Sequence, residues 1–251
     1  MKFAAAVLTF FLFLPASSPA KGPPASATSL IDKAWENWHD VEDYTCVFSK
    51  QERIRGELLP ERTVFMKVRE DPFSVYMKWI GSYRSGQEAL YVSGQNNGEL
   101  KVHRGGILGI INLNLDPEGE LAMKSSRHSI TEAGIGHTLR LIREDFLLAR
   151  KNGEGEITLV AEEDVNAPGV RCFRAEFPPE RVKTGTKKES PREYYGAVSE
   201  ICLDTATLLP RSVTIYDSTG ELLEKYRYRD VKLNVGLTEL DFDPDNPEYG
   251  F

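Results

Sequence analysis

The stretch Val64–Trp79, V-F-M-K-V-R-E-D-P-F-S-V-Y-M-K-W, constrains the fold more than any other part of the chain. Val64, Met66 and Val68 alternate with Phe65, Lys67 and Arg69. Phe73, Val75, Met77 and Trp79 alternate with Ser74, Tyr76 and Lys78. A period of two predicts two half-buried strands. Asp71-Pro72 between them is a turn signal, because proline presets φ and lacks the N–H that a central strand needs. Folding the two runs about that turn sets Val68 opposite Val75, Met66 opposite Met77 and Val64 opposite Trp79. The other face then pairs Arg69 with Ser74 and Lys67 with Tyr76. A slip of one residue would turn the apolar set into water, which pins this register. Met and Trp make the apolar face wide and adaptable.

Residues 1–20 read as a targeting segment outside the fold. Lys2 is a short basic region, Phe3 to Leu14 an apolar one, and Ser18-Pro19-Ala20 offers small residues for cleavage, with Ala25-Ser26-Ala27 as a second such site. The apolar run is too short to span a bilayer, and no later run reaches spanning length. No cysteine stands near either site to carry a lipid anchor. The expectation is a periplasmic protein with an exposed leader over 21–28 and a single domain over 29–251. Without Lys2, 30 basic residues face 38 acidic ones, a formal charge of −8 against −7 for the whole chain. That excludes general nucleic-acid binding and leaves peripheral membrane contact open.

An exported chain with three cysteines leaves at least one unpaired. Cys172 and Cys202 fall on the strand patterns V-R-C-F-R-A-E-F and V-S-E-I-C-L-D. Facing them sets Arg174 opposite Glu200 and Phe173 opposite Ile201, so a salt pair and an apolar pair share one register. A Cys172–Cys202 bridge with Cys46 free is the expectation; two buried thiols are the alternative.

The remaining elements follow from their patterns. Ser29 opens a helix with Leu30, Ile31, Ala34, Trp35 and Trp38 on one stripe. Tyr44 to Arg55 is a strand with Tyr44, Cys46 and Phe48 on one face, and the polar Lys50–Arg53 run leaves its far end without a readable register. Glu88–Ser93 and Glu99–His103 form a hairpin about Asn97-Gly98. Gly105–Leu115 is apolar and glycine-punctuated, either a mobile cover over the sheet or a buried edge strand or packed loop. Asp116-Pro117 announces a short helix, and Ile135 to Arg150 a long one stopped by Lys151-Asn152-Gly153. Five strands follow: 156–164, 169–177, 195–203, 208–216 and 221–234. The last sets Tyr226 and Tyr228 on one face and Lys225, Arg227 and Arg229 on the other.

No specific catalytic constellation is present: no G-x-S-x-G, H-E-x-x-H or C-x-x-C. His39, His103, His128 and His137 are scattered; His128 and His137 flank Gly134-Ile135-Gly136, where a surface or helix-end role outweighs a metal site. Asp241, Asp243 and Asp245 alternate like a calcium loop, but Asn246 replaces the required glycine and no glutamate follows in the twelfth position. No catalytic residue, metal or cofactor is expected.

The order of elements resembles the periplasmic lipoprotein carriers of the LolA type and the related sigma-factor regulators of the RseB type. K-Q-E-R at Lys50–Arg53, P-F-S-V-Y-M-K-W, the S-R-H-S-I-T-E-A-G-I-G run from Ser126, and the terminal L-N-V-G-L-T-E-L-D-F-D-P-D-N-P-E-Y-G-F are similar to an uncharacterised exported bacterial family. The resemblance implies an unclosed, curved β-barrel with helices plugging its mouth. Asp71 stands where the carriers place a lid-latching arginine, and Arg69 lies two residues earlier, so the latch does not carry over.

The expected fold is mainly β with α, an antiparallel curved sheet of about ten or eleven strands. The expected function is non-catalytic binding of an acyl chain or lipoprotein lipid, with Val64, Met66, Val68, Val75, Met77, Trp79, Tyr91, Val102, Tyr226 and Tyr228 as the binding face. Ile107, Leu108, Ile110, Ile111 and Leu113 would form the cover. The rival is an envelope protein-interaction or sensor module whose own helices fill the sheet. A cavity of several hundred Å³ separates the two readings.

Overall fold

A computed structural model describes residues 27–105, 112–161, 169–182 and 193–251. Twelve strands form one antiparallel sheet: β1 (Asp43–Ile54), β2 (Glu57–Leu58), β3 (Arg62–Arg69), β4 (Ser74–Trp79), β5 (Glu88–Val92), β6 (Leu100–His103), β7 (Asn112–Leu115), β8 (Glu156–Ala161), β9 (Val170–Glu176), β10 (Val198–Asp204), β11 (Pro210–Tyr216) and β12 (Leu222–Leu233). Their order is β7-β6-β5-β4-β3-β1-β12-β11-β10-β9-β8, with β2 paired to β1 alone. First and last strands pair near the middle, and among the described residues β7 and β8 remain as separate edges and the sheet does not close. The two-residue β2 carries the count past the expected ten or eleven.

The hairpin has the register its alternation demands: Val64 faces Trp79, Met66 faces Met77 and Val68 faces Val75. Cys172 and Cys202 face each other and are bonded, with Phe173 opposite Ile201 and Arg174 Nη1 2.7 Å from Glu200. Cys46 is a buried thiol. The Asn97-Gly98 connection is longer than a two-residue turn. Val92 and Leu100 bound it, and Asn96, Asn97 and Gly98 all take positive φ in a 3-10 turn.

Three helices lie against one face: α1 (Ala27–Trp38), α2 (Glu120–Met123) and α3 (Ile135–Asn152). Helix α1 begins at Ala27, two residues before the expected Ser29. Leu30 and Ile31 of α1 join Ile142, Phe146 and Ala149 of α3 over β9–β11. Ala34 and Trp38 join Ile135 and Leu139 over β1, β3, β4 and β12. The Gly134-Ile135-Gly136 run explains how α3 can sit so close. Gly134 has φ +105, and a side chain there would strike the Tyr44 hydroxyl, which accepts the Ile135 N–H at 2.9 Å. A side chain at Gly136 would enter the Trp38 indole. Gly153, at φ 65, ends α3 in the left-handed conformation glycine favours.

The opposite face of β3–β5 is covered by the C-terminal segment. Tyr249 stacks on Tyr76 with ring centroids 3.9 Å apart, and Phe242 is buried with Tyr76, Leu90 and Val92. Lys67 donates to Asp241 at 2.7 Å, and Arg69 to Glu239. The acidic tail thus reads the basic outer row of β3. Asp241 also caps the turn at Thr238, and Asp243 accepts the Asp245 N–H, so these aspartates serve the backbone.

Candidate functional site

On the helix-bearing face the core gives way to a cavity of about 580 Å³, in the size range of small-molecule sites. Its apolar wall comes from inward positions of successive strands: Phe48 of β1, Val64 of β3, Met77 and Trp79 of β4, Leu100 and Val102 of β6. Leu113 and Leu115 of β7 extend that wall, and the segment from Pro117 to Thr138, including Leu121 and Met123 of α2, forms the far side.

Of the ten residues expected to bind ligand, Val64, Met77, Trp79, Val102, Tyr226 and Tyr228 line this cavity. Met66, Val68 and Val75 do not. All three are 0% exposed and lie in the cluster that holds Ile135 and Leu139 of α3 and Trp38 of α1. The reason is the close seat of α3: the turn at Gly134 lies over Val68 and fills that part of the sheet. Tyr91 pairs with Val75 across β4 and β5, but its ring lies 6.5 Å from Phe73 at the hairpin end and off the cavity wall. Of the expected cover, Leu113 is on the wall, in the edge strand β7; Ile107, Leu108, Ile110 and Ile111 lie outside the described residues.

The floor of the cavity is polar. The inward row of β1 runs Tyr44, Cys46, Phe48 and then Lys50 and Glu52, with Glu52 4% exposed. On β12 the row Tyr228, Tyr226 continues to Glu224, 1% exposed, and on β3 Val64 is preceded by Arg62, 5% exposed. Glu52 stands opposite Glu224 in the β1–β12 register. Two facing carboxylates repel, and the surroundings offset it. The Tyr226 hydroxyl bridges them, 2.6 Å from Glu52 and 3.1 Å from Glu224. Lys50 donates to Glu52 at 2.9 Å, and the Tyr195 hydroxyl donates to Glu224 at 2.7 Å. Arg127 Nε lies 3.5 Å and His128 Nε2 3.1 Å from Glu224.

These contacts set the charge states. Burial disfavours the His128 imidazolium, but the Glu224 carboxylate and hydrogen bonds to Glu132 and Glu224 outweigh it and hold the ring at about 9. Burial also works against an ionised Glu224, yet His128, Tyr195 and Arg127 keep it below its ordinary value. His137 Nε2 lies 3.3 Å from His128 Nδ1, and burial with the neighbouring His128 pulls it down to about 4. His128 and His137 therefore meet at the cavity wall, together with Glu132.

Two wall residues carry buried donors with no hydrogen-bond partner among the described residues: Arg62 Nε and Trp79 Nε1. Arg62 gives Nη1 to the Ser125 carbonyl at 2.6 Å and lies over the Tyr83 ring. Arg84, Arg104 and Lys124, all exposed, add positive charge around it. The polar rows escape a sequence reading because the Lys50–Arg53 run is equally polar on both faces. Carrying the alternation of Tyr44, Cys46 and Phe48 onward by twos places Lys50 and Glu52 inside.

The chain belongs to the family described as "Protein of unknown function (DUF1571)", which matches residues 41–251. No curated protein matches it. Among solved structures it is similar to the Mycobacterium tuberculosis lipoprotein LppX, with 12% identity, a TM-score of 0.49, and coverage of 86% of this chain and 97% of that one. It is also similar to the MucA/MucB complex of Pseudomonas aeruginosa, with 14% identity and a TM-score of 0.45, covering 87% of this chain and 61% of that one. A LolA superfamily protein from Nitrosomonas europaea matches with 12% identity and a TM-score of 0.32, covering 87% and 98%.

Proposed function

We propose that this DUF1571 chain is a non-catalytic binding protein of the cell envelope that holds one amphiphile in its cavity. The tail, an acyl chain of a lipid or lipoprotein, lies against Val64, Met77, Trp79, Leu100 and Val102. Each methylene taken from water there contributes about 0.8 kcal/mol. The head is an anion or a strong acceptor at Arg62 and Trp79.

The observation that carries this reading is the pair of buried donors without a partner among the described residues, Arg62 Nε and Trp79 Nε1, beside the apolar row of Val64, Met77, Leu100 and Val102. A buried donor left unpaired costs about 1–3 kcal/mol, and an acceptor on the ligand removes that cost. The local excess of arginine and lysine, in a chain of net negative charge, favours a negative head. A sensor module filled by its own helices accounts for the Met66 side of the sheet and leaves the cavity without a purpose.

Native mass spectrometry of the chain purified from its own envelope, followed by lipid extraction, tests the proposal. A bound species of lipid mass, lost in Arg62→Ala, is the expected result. An empty chain that also fails to take up added palmitate would overturn it.

A further inference from the structure

The S-R-H-S-I-T-E-A-G-I-G run does more than seat α3. It places His128, Glu132 and His137 on one patch of the cavity wall. The backbone explains how. His128 precedes the Ser129 cap of the 3-10 turn Ile130–Glu132, Glu132 is the last residue of that turn, and His137 lies in the first turn of α3, after the sharp Gly134 bend. Each residue offers one ligand atom, and the three atoms lie within 4.8 Å of one another.

We infer that His128 Nδ1, His137 Nε2 and a Glu132 carboxylate oxygen form a site for a divalent transition metal of the zinc class, open to the cavity at its fourth position. The spacing is the first argument. Ligands about 2.1 Å from a tetrahedral ion stand about 3.4 Å apart. His128 Nδ1 is 3.3 Å from His137 Nε2 and 3.7 Å from Glu132 Oε2, and the third edge lies within 4.8 Å, so a movement of the half-buried Glu132 side chain toward His137 closes the triangle. Two imidazoles and one carboxylate are a donor set for a borderline ion rather than for calcium or magnesium.

The second argument is the support behind the ligands. His128 turns Nε2 to the fully buried Glu224 at 3.1 Å, and Tyr195 and Tyr226 hold that carboxylate by their hydroxyls. A carboxylate on the far nitrogen of a liganding histidine fixes its ring and aims the near nitrogen at the ion. Open coordination toward a cavity is the arrangement of a site that takes up a further ligand.

Two features work against loading: His128, held as an imidazolium beside Glu224, must release its Nδ1 proton to solvent, and Arg140 opposes His137. Arg140, exposed on α3, stands 2.8 Å from His137 Nδ1, and its guanidinium can only donate. The neutral ring then carries its proton on Nε2, the nitrogen the ion needs. Loading moves that proton to Nδ1 and displaces the Arg140 side chain into solvent. Arg140→Ala therefore tightens metal binding, an effect that a purely structural histidine cluster would not show.

The test uses zinc alone, so it stands apart from the lipid reading. Untagged chain is stripped with a chelator and titrated with zinc by calorimetry, and cobalt absorption reports tetrahedral coordination. The expected result is one equivalent bound, at least tenfold weaker in Glu132→Gln and in His137→Ala, and tighter in Arg140→Ala. Circular dichroism checks that each variant is folded. Absence of saturable zinc binding by the folded chain, or equal affinity in Glu132→Gln, His137→Ala and the parent chain, would overturn the inference.

Discussion

Met66 and Met77 face each other across the β3–β4 hairpin, and the boundary between filled core and open cavity passes between them. Met66 is 0% exposed beneath the two long helices, whereas Met77 reaches the cavity wall. Truncating them must therefore do different things. Met66→Ala leaves a hole that packed neighbours cannot fill and costs about 2–5 kcal/mol. Met77→Ala widens an existing cavity, lowers stability much less and weakens ligand binding. Urea unfolding of the two variants distinguishes these outcomes.

The hairpin was legible because its apolar alternation is unbroken and a register slip would be costly. The Cys172–Cys202 register was legible for the same reason, with a salt pair and an apolar pair agreeing. The division of the inner face was not. Val68 and Met77 belong to the same alternating pattern, and nothing in that period says that Gly134 brings α3 down onto Val68 and leaves Met77 uncovered. The inward Glu52, Arg62 and Glu224 were hidden by their chemistry, since charged residues are ordinarily assigned to water.

The Cys172–Cys202 bridge closes a loop with a sequence separation of 30. Replacing both residues by Ser frees that loop in the unfolded chain and should lower stability by about 3 kcal/mol. Cys46 is buried, and burial pushes its thiol up to about 12. Iodoacetamide should leave it unmodified in the folded chain and label it after denaturation. Non-reducing peptide mapping reads both expectations.

Glu224 is 1% exposed and is the common partner of His128, Tyr195, Tyr226 and Arg127. Glu224→Ala strands these groups in the interior and should cost about 3–5 kcal/mol. Glu224→Gln keeps an acceptor for the hydroxyls and should cost less. The difference between the two variants in chemical denaturation measures the worth of the hydrogen bonds.

Burial raises the Glu70 carboxyl from 4.5 to about 7. An acid whose folded value lies above its unfolded one binds more protons in the folded state between the two. Stability on its account is greatest below pH 4.5 and falls as pH rises toward 7. In Glu70→Gln this part of the pH dependence disappears, so the parent chain should lose stability relative to the variant over that window. Parallel urea titrations from acid to neutral pH check the sign.

The central claim is that the cavity beside Met77 takes a chain-like ligand while the core around Met66 stays closed. Methionine methyl resonances report on both at once, because Met77 and Met123 line the cavity and Met66 does not. In a chain labelled at its methionine methyls and titrated with palmitate, the Met77 and Met123 signals should shift together and saturate, with Met66 unmoved. No shift at Met77 and Met123, or a shift at Met66 as large as theirs, would contradict the account.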